Sequence, residues 1–180
     1  GVTSLIAVET LRALGATVTP LFDTSDGTFP NHHPDPTVVE NLADLQAAVS
    51  RGGAELGIAF DGDGDRIGAV TETGEPAFGV SVIIPSPQIV EMIGAFGFDW
   101  VLLDCEHGTL TLESVELMAM AAEACGLTAI ARPATKSPDH ILQVLDRGVM
   151  GVQVPHVNTL SDARAVVSAV KYHPTGRRGL

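Results

Sequence analysis

The stretch GFDWVLLDCEHGTL, residues 97–110, decides the fold of the larger part of this chain. Its apolar run is short and ends in charged residues, which predicts a buried strand. The next segment, TLESVELMAMAAEACG, has apolar residues at helical spacing and ends in a glycine, which predicts a helix. A strand that leads directly into a helix is the unit from which parallel sheets are built.

The same unit recurs along residues 77–170. The strand patterns are FGVSVII, WVLLD, TAIARP and GVQVP, and each is followed by a helical pattern. The sequence therefore predicts an α/β fold, a parallel sheet with crossover helices. The sheet is either doubly wound or half of a (β/α)8 TIM-type barrel, which has eight such units. The polar groups DCEHG, ARP and VPHVN follow three strands, at the end where both architectures place function.

The N-terminal part also alternates helical and extended patterns. SLIAVETLRALG and TVVENLADLQAAVSRGG predict helices, and ATVTPLF, AELGIAF and RIGAVTE predict strands. We expect this part to be a second parallel α/β unit. A turn-rich loop, DTSDGTFPNHHPDP, carries His32 and His33 between prolines. Adjacent histidines can bind a metal, but this setting favours packing and hydrogen bonding.

Composition restricts the class of partner. The chain has a formal net charge of −12 and a pI near 4.7. This acidity disfavours nucleic acid and anionic membranes as partners, because both need a basic face. No apolar run is long enough to span a bilayer. The two cysteines, Cys105 and Cys125, lie in apolar surroundings, which favours buried thiols and a cytoplasmic protein.

A second motif, AFDGDGDRIGAV at residues 59–70, places Asp61, Asp63 and Asp65 at alternate positions before Arg66. The intervening glycines let the backbone curl so that the carboxylates converge, and hard divalent cations prefer carboxylate oxygens. An EF-hand is a poor match, because a strand pattern follows the loop where a helix is required. A cation-binding loop and a solvated acidic turn between two strands both remain open.

The pieces DGTFPNHHPDP and GIAFDGDGDRIG closely resemble the second domain of the phosphohexomutases, the phosphoglucomutase/phosphomannomutase enzymes. The resemblance implies that Asp61, Asp63 and Asp65 bind Mg²⁺ and that Arg66 supports the site. It also implies a phosphoserine and sugar-binding domains, for which this chain has no matching segment. We therefore do not expect a mutase cycle from this chain unaided.

The DCEHG and ARP groups supply candidate catalytic residues. Asp104 and His107 follow one predicted strand, and a histidine beside a carboxylate can act as a general base. Arg132 ends the next strand, where a guanidinium suits a carboxylate ligand. The alternatives are a loop-capping histidine and an arginine that forms a salt bridge with a neighbouring acid.

GFDWVLLDCEHG, LDRGVMGVQVPHV and YHPTGRRG resemble the metal-dependent pyruvate aldolases, which include the 4-hydroxy-2-oxo-heptanedioate aldolases and macrophomate synthase. In that family a divalent cation, Mg²⁺ or Mn²⁺, chelates pyruvate and stabilises its enolate. The resemblance implies that Asp104 and His107 assist proton transfer and that Arg132 holds the oxo acid. It places the metal-binding Glu and Asp on later barrel strands, which we expect to be missing here.

The two resemblances meet without a linker, so we expect a chimera of residues 1–73 and 74–180. The predicted function is an aldolase-family carbon–carbon lyase fragment fused to a Mg²⁺-binding phosphohexomutase fragment. The alternatives are a sugar-phosphate isomerase fragment and a catalytically silent cation-binding protein. We expect a small 2-oxo acid or sugar phosphate as ligand. Because half a barrel exposes strand edges, we also expect a homo-oligomer.

Overall fold

The computed structural model describes residues 1–64 and 66–179, which divide into two units, Gly1–Ala77 and Phe78–Leu180. The boundary expected after residue 73 lies shortly before this division. In neither unit does the described part of the chain contain a helix with the length and apolar character required to cross a bilayer.

The first unit contains two helices and a three-stranded sheet. Its elements are the 3₁₀ turns Val2–Leu5 and Val39–Leu42, helices α1 (Ala7–Ala13) and α2 (Ala43–Gly52), and strands β1 (Leu56–Phe60), β2 (Ile67–Thr71) and β3 (Pro76–Ala77). The sheet order is β1-β2-β3, and both pairings are antiparallel. A small core of Leu42, Val49 and Val70 lies between α2 and the sheet.

Two expectations for this unit are wrong. The sheet is not parallel, because β1 and β2 are joined by residues 61–66, too few for a crossover helix. The segment ATVTPLF is not a strand: residues 16–22 are irregular, and Leu21 and Phe22 are largely exposed. In the described part of this unit no strand pairs with it, and Pro20 has no N–H to donate.

The second unit confirms the parallel α/β prediction. Each of its four strands leads into a helix: β4 (Gly79–Val82), α3 (Pro87–Ala95), β5 (Trp100–Asp104), α4 (Leu112–Ala124), β6 (Thr128–Arg132), α5 (Pro138–Leu145), β7 (Gly151–Val152) and α6 (Leu160–Val170). The sheet order is β4-β5-β6-β7, and every pairing is parallel. This sheet is a partial barrel that does not close.

Side-chain alternation along the strands explains where the core lies. Val101, Leu103, Ala129 and Ala131 are buried in one cluster with residues of the helices, including Val115. The alternate positions of these strands face the other side of the sheet. They include Asp104 at the end of β5 and Arg132 at the end of β6, which are paired in the register of the two strands. The fold therefore brings these two charged residues side by side at the carboxyl ends of adjacent strands.

Candidate functional site

The centre of the candidate site is an ion pair between Asp104 and Arg132. Asp104 is 1% exposed, so its charge needs a partner. Arg132 Nε donates to Asp104 Oδ1 at 2.9 Å, and Arg132 Nη2 donates to Oδ2. This two-point contact occupies one edge of the guanidinium. Among the described residues no hydrogen bond reaches Nη1, so that end of Arg132 can take another anion.

The loop after β5 is folded around the same carboxylate. Asp104 Oδ1 accepts hydrogen bonds from the backbone N–H groups of Glu106 at 2.9 Å and His107 at 3.1 Å. Gly108 completes the turn: a Cβ there would lie 2.3 Å from the carbonyl oxygen of Asp104 and 2.8 Å from that of Ile83. Glycine is therefore required at this position, and the turn directs Glu106 and His107 towards Arg132.

These contacts determine which group can carry a proton. The hydrogen bond from Arg132, helped by the backbone N–H groups, lowers the pKa of Asp104 from 3.8 to about 2 despite burial. The same bond raises the pKa of Arg132. Asp104 is therefore an anion at neutral pH, which has no proton to donate and is a weak base.

His107 is the exposed imidazole beside this pair. Its Nδ1 lies 2.8 Å from Arg132 Nη2 and 3.8 Å from Asp104 Oδ2. Arginine only donates, so Nδ1 accepts and the ring proton of the neutral imidazole lies on Nε2. The imidazole of His107 is thus joined to the Asp104 carboxylate through Arg132, and the direct hydrogen bond between the two residues comes from the His107 backbone N–H. Nε2 is the atom free to exchange a proton with a ligand.

Two further residues belong to the cluster, and the sequence did not single them out as site residues. Glu106 Oε2 lies 3.3 Å from Arg132 Nε, and its Oε1 lies 3.0 Å from His156 Nε2. His156 belongs to the VPHVN group after β7. The sequence feature that could have identified them is their position, because both follow strands whose carboxyl ends lie at the same edge of the sheet. The sequence does not show which of these side chains are in contact.

Cys105 follows Asp104 in the sequence but lines a cavity separate from the Asp104–Arg132 cluster. It lines a cavity of about 250 Å³ together with Leu110, Thr111 and His140 among others. Burial raises the pKa of the Cys105 thiol, with a smaller contribution from the charge of Asp104. The thiol is therefore protonated at neutral pH.

The aspartate loop of the first unit has its own buried carboxylate. Asp61 is 1% exposed, and its Oδ1 accepts from the backbone N–H groups of Gly64 at 2.7 Å and Arg66 at 3.2 Å. Arg66 Nε donates to Oδ2 at 2.8 Å, and Arg66 Nη1 lies 3.2 Å from Asp35. Asp63 is exposed, and the predicted ligand Asp65 lies outside the described residues.

Neither unit assembles a complete metal site from the described residues. Within residues 1–64 and 66–179, no three His, Cys, Asp or Glu side chains are grouped so that they could hold a metal ion. His32 instead packs edge-on against Phe22, with ring centroids 5.6 Å apart, and its Nδ1 lies 2.9 Å from the His33 carbonyl oxygen. These contacts match the packing role favoured for the histidine pair.

Comparison with protein families divides the chain in the same way. Residues 1–74 match the model described as phosphoglucomutase/phosphomannomutase, alpha/beta/alpha domain II. Residues 79–180 match the model described as HpcH/HpaI aldolase/citrate lyase. The expected chimera of the two families is therefore confirmed.

Individual relatives match one part or the other. A phosphomannomutase/phosphoglucomutase of Pseudomonas aeruginosa is 58% identical over 74 residues, 41% of this chain and 16% of the relative. The 4-hydroxy-4-methyl-2-oxoglutarate aldolase tasA of Hapsidospora irregularis is 39% identical over 99 residues, 54% of this chain and 37% of the relative. The crystal structure of citrate synthase SbnG aligns with a TM-score of 0.56 and 35% identity, over 58% of this chain and 42% of that one. The chain thus spans less than half of each of these relatives.

Proposed function

Because the chain belongs, through residues 79–180, to the HpcH/HpaI aldolase/citrate lyase family, we propose that its second unit provides the carboxylate-binding and proton-transferring part of a carbon–carbon lyase for 2-oxo acids. The observation that carries this proposal is the Asp104–Arg132–His107 network at the ends of β5 and β6. It combines a guanidinium that can bind a carboxylate with an imidazole that can transfer a proton, the two groups that a 2-oxo acid and its enol require.

Arg132 is the binding group in this proposal. Asp104 holds one edge of the guanidinium and fixes its orientation, while Nη1 carries N–H groups that no described residue uses. A substrate carboxylate that accepts from Nη1 would lie beside His107, whose Nδ1 contacts Nη2 of the same guanidinium. The imidazole Nε2 can then take a proton from a hydroxyl or return one to carbon while Arg132 holds the carboxylate.

The aldolase resemblance also implies a divalent cation, Mg²⁺ or Mn²⁺, which would stabilise an enolate. The residues described here do not fit it unaided, because the buried Asp104 is committed to Arg132 and no metal-binding group forms around it. We therefore propose that the remaining ligands come from outside residues 78–180.

For the first unit we propose a divalent-cation loop of Asp61, Asp63 and Asp65 supported by Arg66. The 58% identity to a phosphomannomutase/phosphoglucomutase over 74 residues supports it. Sugar-phosphate isomerase chemistry is the second candidate function. It stays secondary because the match covers 16% of that relative and Asp61 is engaged by its own loop.

We further propose a homo-oligomer, supported by the two outer strands β4 and β7, each of which has one neighbour in the described sheet. Light scattering on the full chain tests this, and a monomer at all concentrations would contradict it.

The lyase proposal is tested with the full chain by measuring pyruvate binding by NMR and pyruvate release from a 4-hydroxy-2-oxo acid with Mn²⁺ or Mg²⁺. Arg132→Ala should weaken pyruvate binding by about tenfold or more, because a charge-assisted contact is lost. His107→Ala should retain binding and lower any turnover by about 100-fold. The matched control is Arg164→Ala, which removes an exposed arginine on α6. Equal pyruvate binding by the Arg132→Ala variant and the control would refute the proposal.

A further inference from the structure

Glu106 lies between Arg132 and His156, and its two oxygens contact different partners. Oε2 is 3.3 Å from Arg132 Nε, which already donates to Asp104 at 2.9 Å. Oε1 is 3.0 Å from His156 Nε2. The 3.0 Å separation is an ion-pair distance, and because a carboxylate only accepts, Nε2 can engage this oxygen only as a donor. Two carboxylates thus face one guanidinium, and the imidazole holds the second of them.

The backbone that presents His156 is held independently of its side chain. His156 has a φ of +55°, an uncommon conformation for a residue with a Cβ. Lys136 Nζ donates to the His156 carbonyl oxygen at 3.3 Å and to Asp162 Oδ1 at 2.7 Å. The other oxygen of Asp162 accepts from the backbone N–H groups of Asn158 and Thr159. The loop is therefore expected to survive removal of the imidazole.

We propose that His156 is a positioning residue for the anion site of Arg132, and that it acts through Glu106. By holding Oε1, His156 keeps the Glu106 carboxylate on the Nε side of the guanidinium and away from Nη1. A released Glu106 could turn to Nη1 and occupy the position that a substrate carboxylate needs. Because Glu106 is tethered next to Arg132, it would compete at high effective concentration. This inference rests on the proposed function, since it assumes that Arg132 binds a 2-oxo acid.

The test is a double-mutant cycle in the full chain with pyruvate as the probe and its dissociation constant as the readout. His156→Ala should weaken pyruvate binding by about fivefold. His156→Gln should stay within about twofold of the unmodified chain, because its amide N–H can reach Glu106 and replace the donor. In a Glu106→Gln background the competing charge is gone, so His156→Ala should have no further effect.

The outcomes distinguish the positioning role of His156 from the proposed function of Arg132 on which it rests. If Arg132→Ala leaves pyruvate binding unchanged, the proposed function itself fails. If Arg132→Ala abolishes binding but His156→Ala does not weaken it, the positioning role alone is overturned. It is also overturned if His156→Ala is equally harmful in the Glu106→Gln background, because His156 would then contact the anion directly. Trp100 fluorescence during unfolding monitors whether each variant remains folded.

Discussion

Two buried carboxylates, one in each unit, use the same pairing for different purposes. Asp61 follows β1 and Asp104 ends β5, and each is 1% exposed. Each accepts two backbone N–H bonds from its own loop and is also bonded by the guanidinium of an arginine. Viewed from the aspartate alone, the two sites look alike.

The arginines make the difference. Arg66 lies five residues from Asp61 in the same hairpin loop, and its side chain is 50% exposed. Arg132 lies 28 residues from Asp104, on the neighbouring strand, and its side chain is 24% exposed. The Asp61 pairing therefore organises one loop, whereas the Asp104 pairing joins two strands and can orient a cation for a ligand.

The largest expected effect comes from removing each carboxylate in turn. Asp104→Ala should lower the free energy of unfolding by about 3 kcal/mol, because a largely buried guanidinium loses its partner. Asp61→Ala should cost about 1.5 kcal/mol, since the exposed Arg66 can be hydrated and the loss is mainly loop hydrogen bonds. Urea unfolding followed by circular dichroism gives both values. Equal costs would contradict the distinction between a local and a tertiary pairing.

Acid should remove part of the same stabilisation. The pKa of Asp104 is lowered from 3.8 to about 2 on folding, so its contribution is complete above pH 4. As the pH falls from about 4 to 2 the unfolded state binds the proton first, and roughly 2 kcal/mol should be lost.

Trp100, the single tryptophan of the chain, lies on β5 and reports unfolding of the second unit. Over this window Asp104→Asn should lose less stability than the unmodified chain. Asp162, whose pKa is also about 2, is present in both proteins, so its contribution cancels when the two acid slopes are compared. Identical acid slopes would show that Asp104 is not responsible.

The sequence predicted the second unit better than the first for a physical reason. Four strand–helix repeats leave few topologies, because successive parallel strands require crossover helices on the sheet face. That topology also brings Asp104 and Arg132 together, since parallel register aligns their strand ends. In the first unit, the short connection between β1 and β2 imposed a hairpin, and no strand of the described sheet pairs with residues 16–22.

The pairing of side chains within the site could not be predicted from the sequence. The residue types in DCEHG allow Arg132 to pair with Asp104 or with Glu106, and loop geometry determines that Asp104 takes the two-point contact. The contact between Glu106 and His156 occurs at a residue with a positive φ, which no local pattern indicates. The presence of charged residues at the strand ends could be predicted from the sequence, but which of them pair with each other could not.

A cation should affect the two units unequally. If the aspartate loop binds Mg²⁺, an ion concentration ten times the dissociation constant stabilises the first unit by about 1.4 kcal/mol. The melting transition seen by circular dichroism but not by Trp100 fluorescence should therefore rise with Mg²⁺. Asp63→Asn, which changes an exposed side chain, should abolish the rise without shifting the metal-free transition. A rise confined to the Trp100 transition would instead locate the cation in the second unit.

The smallest expected effect concerns the second carboxylate of each arginine. Asp35 lies 3.2 Å from Arg66 and Glu106 lies 3.3 Å from Arg132. Asp35→Asn keeps an oxygen for the Thr37 N–H and hydroxyl, which both donate to Oδ1, and removes only the charge. Because Arg66 is half exposed, water and salt screen this pair, and the urea midpoint should not change measurably at 150 mM salt. A drop as large as that of Asp61→Ala would show that Arg66 depends on both carboxylates, and the hairpin loop would then be a charge network of the same kind as the cluster around Arg132.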